Sequence, residues 1–87
     1  MNYEVAWRAD ILDVLAQIYV SVKSEDRQRL AEGVEALNGR LADDPLSVGE
    51  SREGAVRIAF PPLLVVRFRV NEQTKIVRIV GVGKFGR

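Results

Sequence analysis

Four arginines in the second half of the chain, Arg57, Arg67, Arg69 and Arg78, carry its clearest chemical potential. Arg67 and Arg69 stand two apart in PPLLVVRFRV, residues 61–70, so a strand there aims both the same way. A guanidinium is the side chain suited to bidentate contact with a carboxylate or a phosphate. Arg52 in the preceding loop, and Lys84 and Arg87 near the end, extend the candidate contact surface. The chain has no histidine and no cysteine. That removes the usual general base, pH switch and thiolate or imidazole metal ligands, and no metal or cofactor is expected. Tyr3 and Tyr19 read as core or helix residues, and Glu50 and Glu53 fall in a loop, so no proton carrier stands out.

The elements that must position these cations follow from periodicity. NYEVAW, residues 2–7, alternates with Tyr3, Val5 and Trp7 on one side, the pattern of a short half-buried strand. From Asp10 the period becomes helical, with Ile11, Leu12, Val14, Leu15, Ile18, Tyr19 and Val22 on the apolar side. Ser24 suits an N-cap, with Glu25 and Asp26 in the first turn of a second helix that runs to about Leu41. Leu30, Val34, Leu37 and Leu41 form its stripe, and the two stripes are expected to face each other in a helical hairpin. Gly33 and Gly39 weaken that helix by about 1 kcal/mol each relative to alanine. Residues 42–54 read as loop. Three strands follow, at about 55–60, 63–70 and 75–82, with NEQT, residues 71–74, as the last turn.

A hairpin centred on Glu72 and Gln73 puts Phe68 opposite Val77, Val66 opposite Ile79 and Arg67 opposite Arg78. Extending the pattern to the preceding strand places Val56, Ile58 and Phe60 on the apolar face and Arg57 with the other arginines. One sheet face then takes the helices. The other carries Arg57, Arg67, Arg69 and Arg78 among Val65, Ile76 and Val80. A solvated face, with arginine stems covering the apolar residues, is the plain account. The functional account is a contact face for an anionic partner, either an acidic apolar peptide or nucleic acid.

Eighty-seven residues make one domain, residues 1–87, and the balance of 47% hydrophobic and 29% charged residues is that of an ordinary globular protein. A net charge of +1 argues against a polybasic nucleic-acid binder, though not against a local basic patch. The N-terminus lacks an apolar signal core and no apolar run is long enough to span a membrane, so a cytoplasmic protein without membrane attachment is expected. Residues 81–86, GVGKFG, lack the glycine–lysine spacing of a phosphate loop and precede no helix. Asp43 and Asp44 before Pro45 read as a turn.

The order strand, helix, helix, loop, three-stranded antiparallel meander resembles the RelE/ParE superfamily of toxins from toxin–antitoxin systems, an α+β fold. DDPLSVGESREG, residues 43–54, is similar to the family's loop after the second helix. LLVVRFRVNEQTKIVRIVGVGK, residues 63–84, is similar to its central hairpin with a closing VGK. The resemblance implies a small toxin neutralised by a cognate antitoxin protein. One branch cleaves mRNA on the ribosome, and the other inhibits DNA gyrase without nuclease residues. The cleaving branch carries lysines at alternate positions of the first meander strand, where this chain has Val56 and Ile58. It carries an arginine in the second strand, here about Val65, and another after VGK, here Phe85. Cleavage through the 2'-hydroxyl needs a proton acceptor and donor. The expectation is therefore a toxin-type protein that acts by binding. A ribosome-dependent endoribonuclease with a rearranged site and a non-toxic adaptor of the same fold are the alternatives.

Overall fold

The computed structural model describes residues 2–52 and 54–86. Strand β1 (Glu4–Trp7) leads into helices α1 (Ala9–Ser21) and α2 (Ser24–Asp43). A 3-10 turn (Pro45–Ser47) follows, then strands β2 (Glu50–Ser51), β3 (Val56–Ala59), β4 (Leu64–Asn71) and β5 (Ile76–Lys84). The strands form one mixed sheet in the order β1-β5-β4-β3-β2.

Alternation decides how β1 joins the sheet. It runs parallel to β5 with Val5 beside Val77 and Trp7 beside Ile79, so its apolar side continues the apolar side of β5. Trp7 also donates its indole N–H to Asn38 Oδ1 of α2 at 2.9 Å, which ties this edge to the helix layer. Both helices cover that one face. Leu30, Leu37 and Leu41 of α2 and Ile18 of α1 bury against Leu64, Val66, Phe68, Val77 and Ile79.

Several details depart from the sequence reading. The helix starts at Ser24 itself, with Lys23 in the cap position and no side-chain cap, so Ser24 is not the N-cap. The segment expected as plain loop contains the 3-10 turn and β2, which pairs with β3 through Glu50–Ile58 and Ser51–Arg57. The β4–β5 register is two residues from the expected one, with Val70 opposite Val77 and Arg69 opposite Arg78. Asn71 causes the shift: its Oδ1 accepts the backbone N–H groups of Gln73 and Thr74, both at 3.0 Å. The turn therefore closes one residue later, with Lys75 at φ 59°. A two-residue slip keeps Phe68–Asn71 and Ile76–Ile79 on their expected faces, while the bulge between Arg67 and Phe68 adds one more residue and turns Gly81–Lys84 to the opposite face from that expected.

Two glycines set close approaches. A Cβ on Gly33 would come within 2.8 Å of Pro62 Cδ, so this apparent weak point of α2 is where the β3–β4 connection nests against the helix. Gly49 has φ 70°, and a Cβ there would collide with the Ile58 carbonyl. Gly49→Ala is expected to cost about 2–3 kcal/mol, from left-handed strain and displacement of β2. A lowered urea midpoint would register it, and an unchanged midpoint would contradict this account of the β2–β3 pairing.

Candidate contact faces

The sheet face away from the helices is built from the register. Across β1, β5, β4 and β3 one row reads Ala6, Arg78, Arg69, Val56. The next reads Gly81, Arg67, Ile58, with Glu50 of β2 beyond. Val65 and Gly83 follow at one end, and Asn71, Ile76 and Glu4 at the other. Arg67, Arg69 and Arg78 are exposed, while Val56, Ile58, Val65 and Ile76 are half-buried. Among the described residues none of these three arginines has a side-chain hydrogen bond or an ion pair. Other arginines do have partners. Arg8 meets Asp10 at 2.8 Å, and that shared hydrogen bond is the main reason the Asp10 carboxyl is held below its ordinary range. Arg52 meets Glu50 at 3.0 Å at the β2 border of the face.

A bulge between Arg67 and Phe68 shapes the middle of the face. Val80 is the extra residue of β5, so Arg67 lies opposite Gly81, and its Nε is 3.3 Å from where a Gly81 Cβ would stand. The missing side chain gives the guanidinium a seat on the backbone. Toward the hairpin turn, Arg69, Arg78, Asn71, Glu72, Ile76 and Ala55 line a shallow recess of about 420 Å³.

Arg57 is not on this face, contrary to expectation. It pairs with Phe68, and Ala59 with Val66, so β3 turns Arg57 and Ala59 toward the helices and Val56 and Ile58 outward. Two physical needs reverse the strand. A small residue fits where the sheet runs beneath α2, and Ala59 is buried there. The 3-10 turn and Gly49 also present carbonyls along this edge, and Arg57 satisfies them. Its guanidinium donates to Val48 O at 3.1 Å, Leu46 O at 3.0 Å and Gly49 O at 3.3 Å, and to Ser51 Oγ at 3.0 Å.

Lys84 also leaves the expected set. It pairs with buried Leu64, which puts it on the helix side, beside a recess lined by Ser21, Val22, Lys23, Asp26, Leu63 and Phe85. Arg87 and Glu53 lie outside the described residues. The structure thus gathers Arg67, Arg69 and Arg78, with Arg52 at the border, and separates Arg57 and Lys84 from them.

A second surface went unnoticed in the sequence. Between α1 and α2 an open apolar groove of about 460 Å³ is lined by Leu12, Leu15, Ala16, Tyr19, Ala31 and Val34 among others. Leu12, Tyr19 and Val20 are exposed on it. The helical stripes therefore bury against the sheet rather than fully against each other. Arg27 spans the far end, donating to Tyr19 O and Val20 O, both at 3.1 Å, and so satisfying open carbonyls at the end of α1. The width of the apolar belt on α1 was the available signal, since Leu12, Val14, Tyr19 and Val20 exceed what one sheet-facing stripe can bury.

Neither face carries a histidine, and the tyrosines stand off the arginine face. Tyr3 packs against the core with the Lys75 ammonium 4.9 Å from its ring centre, and Tyr19 lines the groove on the other side of the molecule. Among the described residues, no helix is long and apolar enough to cross a membrane.

No protein-family model matches the sequence, and no curated protein matches it. Solved structures do. A chain of the RelBE2 toxin–antitoxin complex from Mycobacterium tuberculosis superposes with TM-score 0.73 at 23% identity, covering 98% of this chain and 100% of that one. A chain of the chromosomal ParDE system of P. aeruginosa gives TM-score 0.73 at 17% identity, covering 98% of each. The isolated E. coli RelE toxin gives 0.61 at 13% identity, over 98% of this chain and 86% of the other. These likenesses run the length of the chain and reproduce its strand, two helices and sheet: it has the α+β RelE/ParE fold.

Proposed function

We propose that this chain is the toxin-type member of a toxin–antitoxin pair, neutralised by a cognate antitoxin protein and acting by binding rather than by cleaving RNA. The observation that carries the reading is the outer sheet face. It presents three unpartnered arginines on a fold shared with RelE and ParE toxins, yet offers no tyrosine or histidine to move a proton. Guanidinium groups can hold an anion and stabilise developing charge, but a ribonuclease also needs an acceptor and a donor. The Val56 and Ile58 positions, where the cleaving branch has lysines, project onto this same face as hydrocarbon. The groove between α1 and α2 supports the antitoxin part of the reading, because an amphipathic helix seats apolar anchors at helical spacing in such a groove.

Induced expression in a bacterial host is expected to arrest growth, and Arg67→Ala/Arg69→Ala to relieve the arrest without lowering protein level. Co-expression of the neighbouring reading frame should also relieve it and yield a complex on purification. Ribosome-bound mRNA should stay intact with excess pure protein, and a supercoiling assay then decides for or against gyrase as the target. A cut message would replace the binding mechanism with an endoribonuclease. Normal growth with no complex would remove the toxin reading and leave the adaptor.

A further inference from the structure

The geometry points to an extended acidic peptide of a protein partner as the occupant of the outer sheet face, seated with its carboxylates on Arg67, Arg69 and Arg78. This rests on the reading above that this face is the contact surface, and adds what it recognises. Arg67 and Arg69 are two residues apart on β4, about 6.8 Å along the strand. Alternate side chains of an extended peptide share that spacing, so acidic residues at every second position meet both cations in turn. Arg78 lies directly across from Arg69, so one carboxylate there is held by two guanidinium groups.

Phosphates along a nucleic-acid strand can also meet such a row of cations, so the surroundings decide. Val56, Ile58, Val65 and Ile76 surround the arginines and are half-buried hydrocarbon, fit for aliphatic side chains. The exposed rings next to the Val65–Gly83 end, Phe60 and Phe85, pack on each other with centroids 4.8 Å apart. No ring stands among Arg67, Arg69 and Arg78, whereas sequence-tolerant binding of single strands relies on successive rings that stack bases. The strip is also short. Glu4 of β1 and Glu72 at the hairpin turn stand at its end, where a continuing polyphosphate chain would meet negative charge and a short acidic segment would not. Ala6 and Gly81 keep the β1–β5 side low, and the Arg67 guanidinium rests on Gly81, so a backbone can approach closely.

The probe is a fluorescein-labelled peptide of about five residues alternating Asp and Val, roughly 17 Å when extended. Binding to the full chain is read by anisotropy at low and moderate salt, against an unlabelled single-stranded RNA of matching length. The peptide should bind, the RNA should not displace it, and Arg69→Gln/Arg78→Gln should weaken it about tenfold or more. Lys84→Gln, on the other side of the sheet, should bind as wild type. Circular dichroism melts show whether the arginine variant is folded, and Arg67→Gln alone serves as a second, milder test. Absence of peptide binding, equal binding by the folded arginine variants, or displacement by RNA would overturn the inference, the last in favour of nucleic acid. Growth arrest is scored separately. Peptide binding by a chain that does not arrest growth removes the toxin reading alone, and arrest without peptide binding removes this inference alone.

Discussion

Phe68→Ala is expected to leave the protein at the edge of unfolding at room temperature. Phe68 is the largest fully buried side chain, on the central strand β4, between Arg57 of β3 and Ile79 of β5 in register. Truncating a buried phenylalanine costs about 3–5 kcal/mol, the lost transfer energy plus the cavity left behind. A chain of this size has a total stability of about 4–13 kcal/mol. The melting temperature should fall by roughly 15–30 °C, since each kcal/mol is worth about 4–8 °C in a domain this small. Phe68→Leu, which keeps most of the volume, should lose less than about half of that. A melt of the alanine variant within about 5 °C of wild type would mean the helices can close over the gap, and that the core is not centred on this residue.

The second large effect separates arginines that look alike in sequence. Arg57→Met keeps the hydrocarbon stem and removes the guanidinium that donates to Leu46 O, Val48 O, Gly49 O and Ser51 Oγ. Val48 is almost fully buried, so its carbonyl is poorly placed to find water instead. The loss is expected to be about 2–3 kcal/mol, with faster amide exchange through residues 48–51. Arg67→Met and Arg69→Met sit on the exposed face without internal partners and should change stability by no more than about 0.5 kcal/mol. Denaturant titrations of the three variants side by side check this. Equal midpoints would show that the Arg57 clamp contributes nothing and that β3 could have presented it outward.

Much of this arrangement was legible from alternation alone. Val66, Phe68, Val77 and Ile79 announce a buried face, and Arg67 and Arg69 an opposite one. A two-residue error in register, caused by the Asn71 turn, could not disturb that division. Strand β3 was misread because its hydrophobicity points the wrong way. In VRIA the larger apolar residues face outward, while Arg57 and Ala59 face the helices for reasons that lie in other segments. Ser51 and Glu50 carry no strand signal, since β2 exists only because Gly49 turns the chain and β3 offers a partner. The bulge at Val80 is similarly invisible, because it depends on Gly81 accepting the Arg67 side chain. The groove departs from the expected helical hairpin, because the stripes of α1 and α2 bury against the sheet and leave Leu12, Tyr19 and Val20 open between them.

The parallel pairing of β1 with β5 has a consequence for the order in which the molecule comes into being. The first strand made waits for the last, since Val5 and Trp7 find Val77 and Ile79 only after nearly the whole chain has left the ribosome. Contacts of such long sequence separation slow folding, because the chain loses loop entropy before they form. Until then the nascent chain can hold its helices, yet it lacks β5, with Arg78 and the Gly81 seat beneath Arg67. The arginine face is therefore completed only once β5 has emerged, and a chain stalled before it would lack Arg78 opposite Arg69 and the Gly81 seat beneath Arg67.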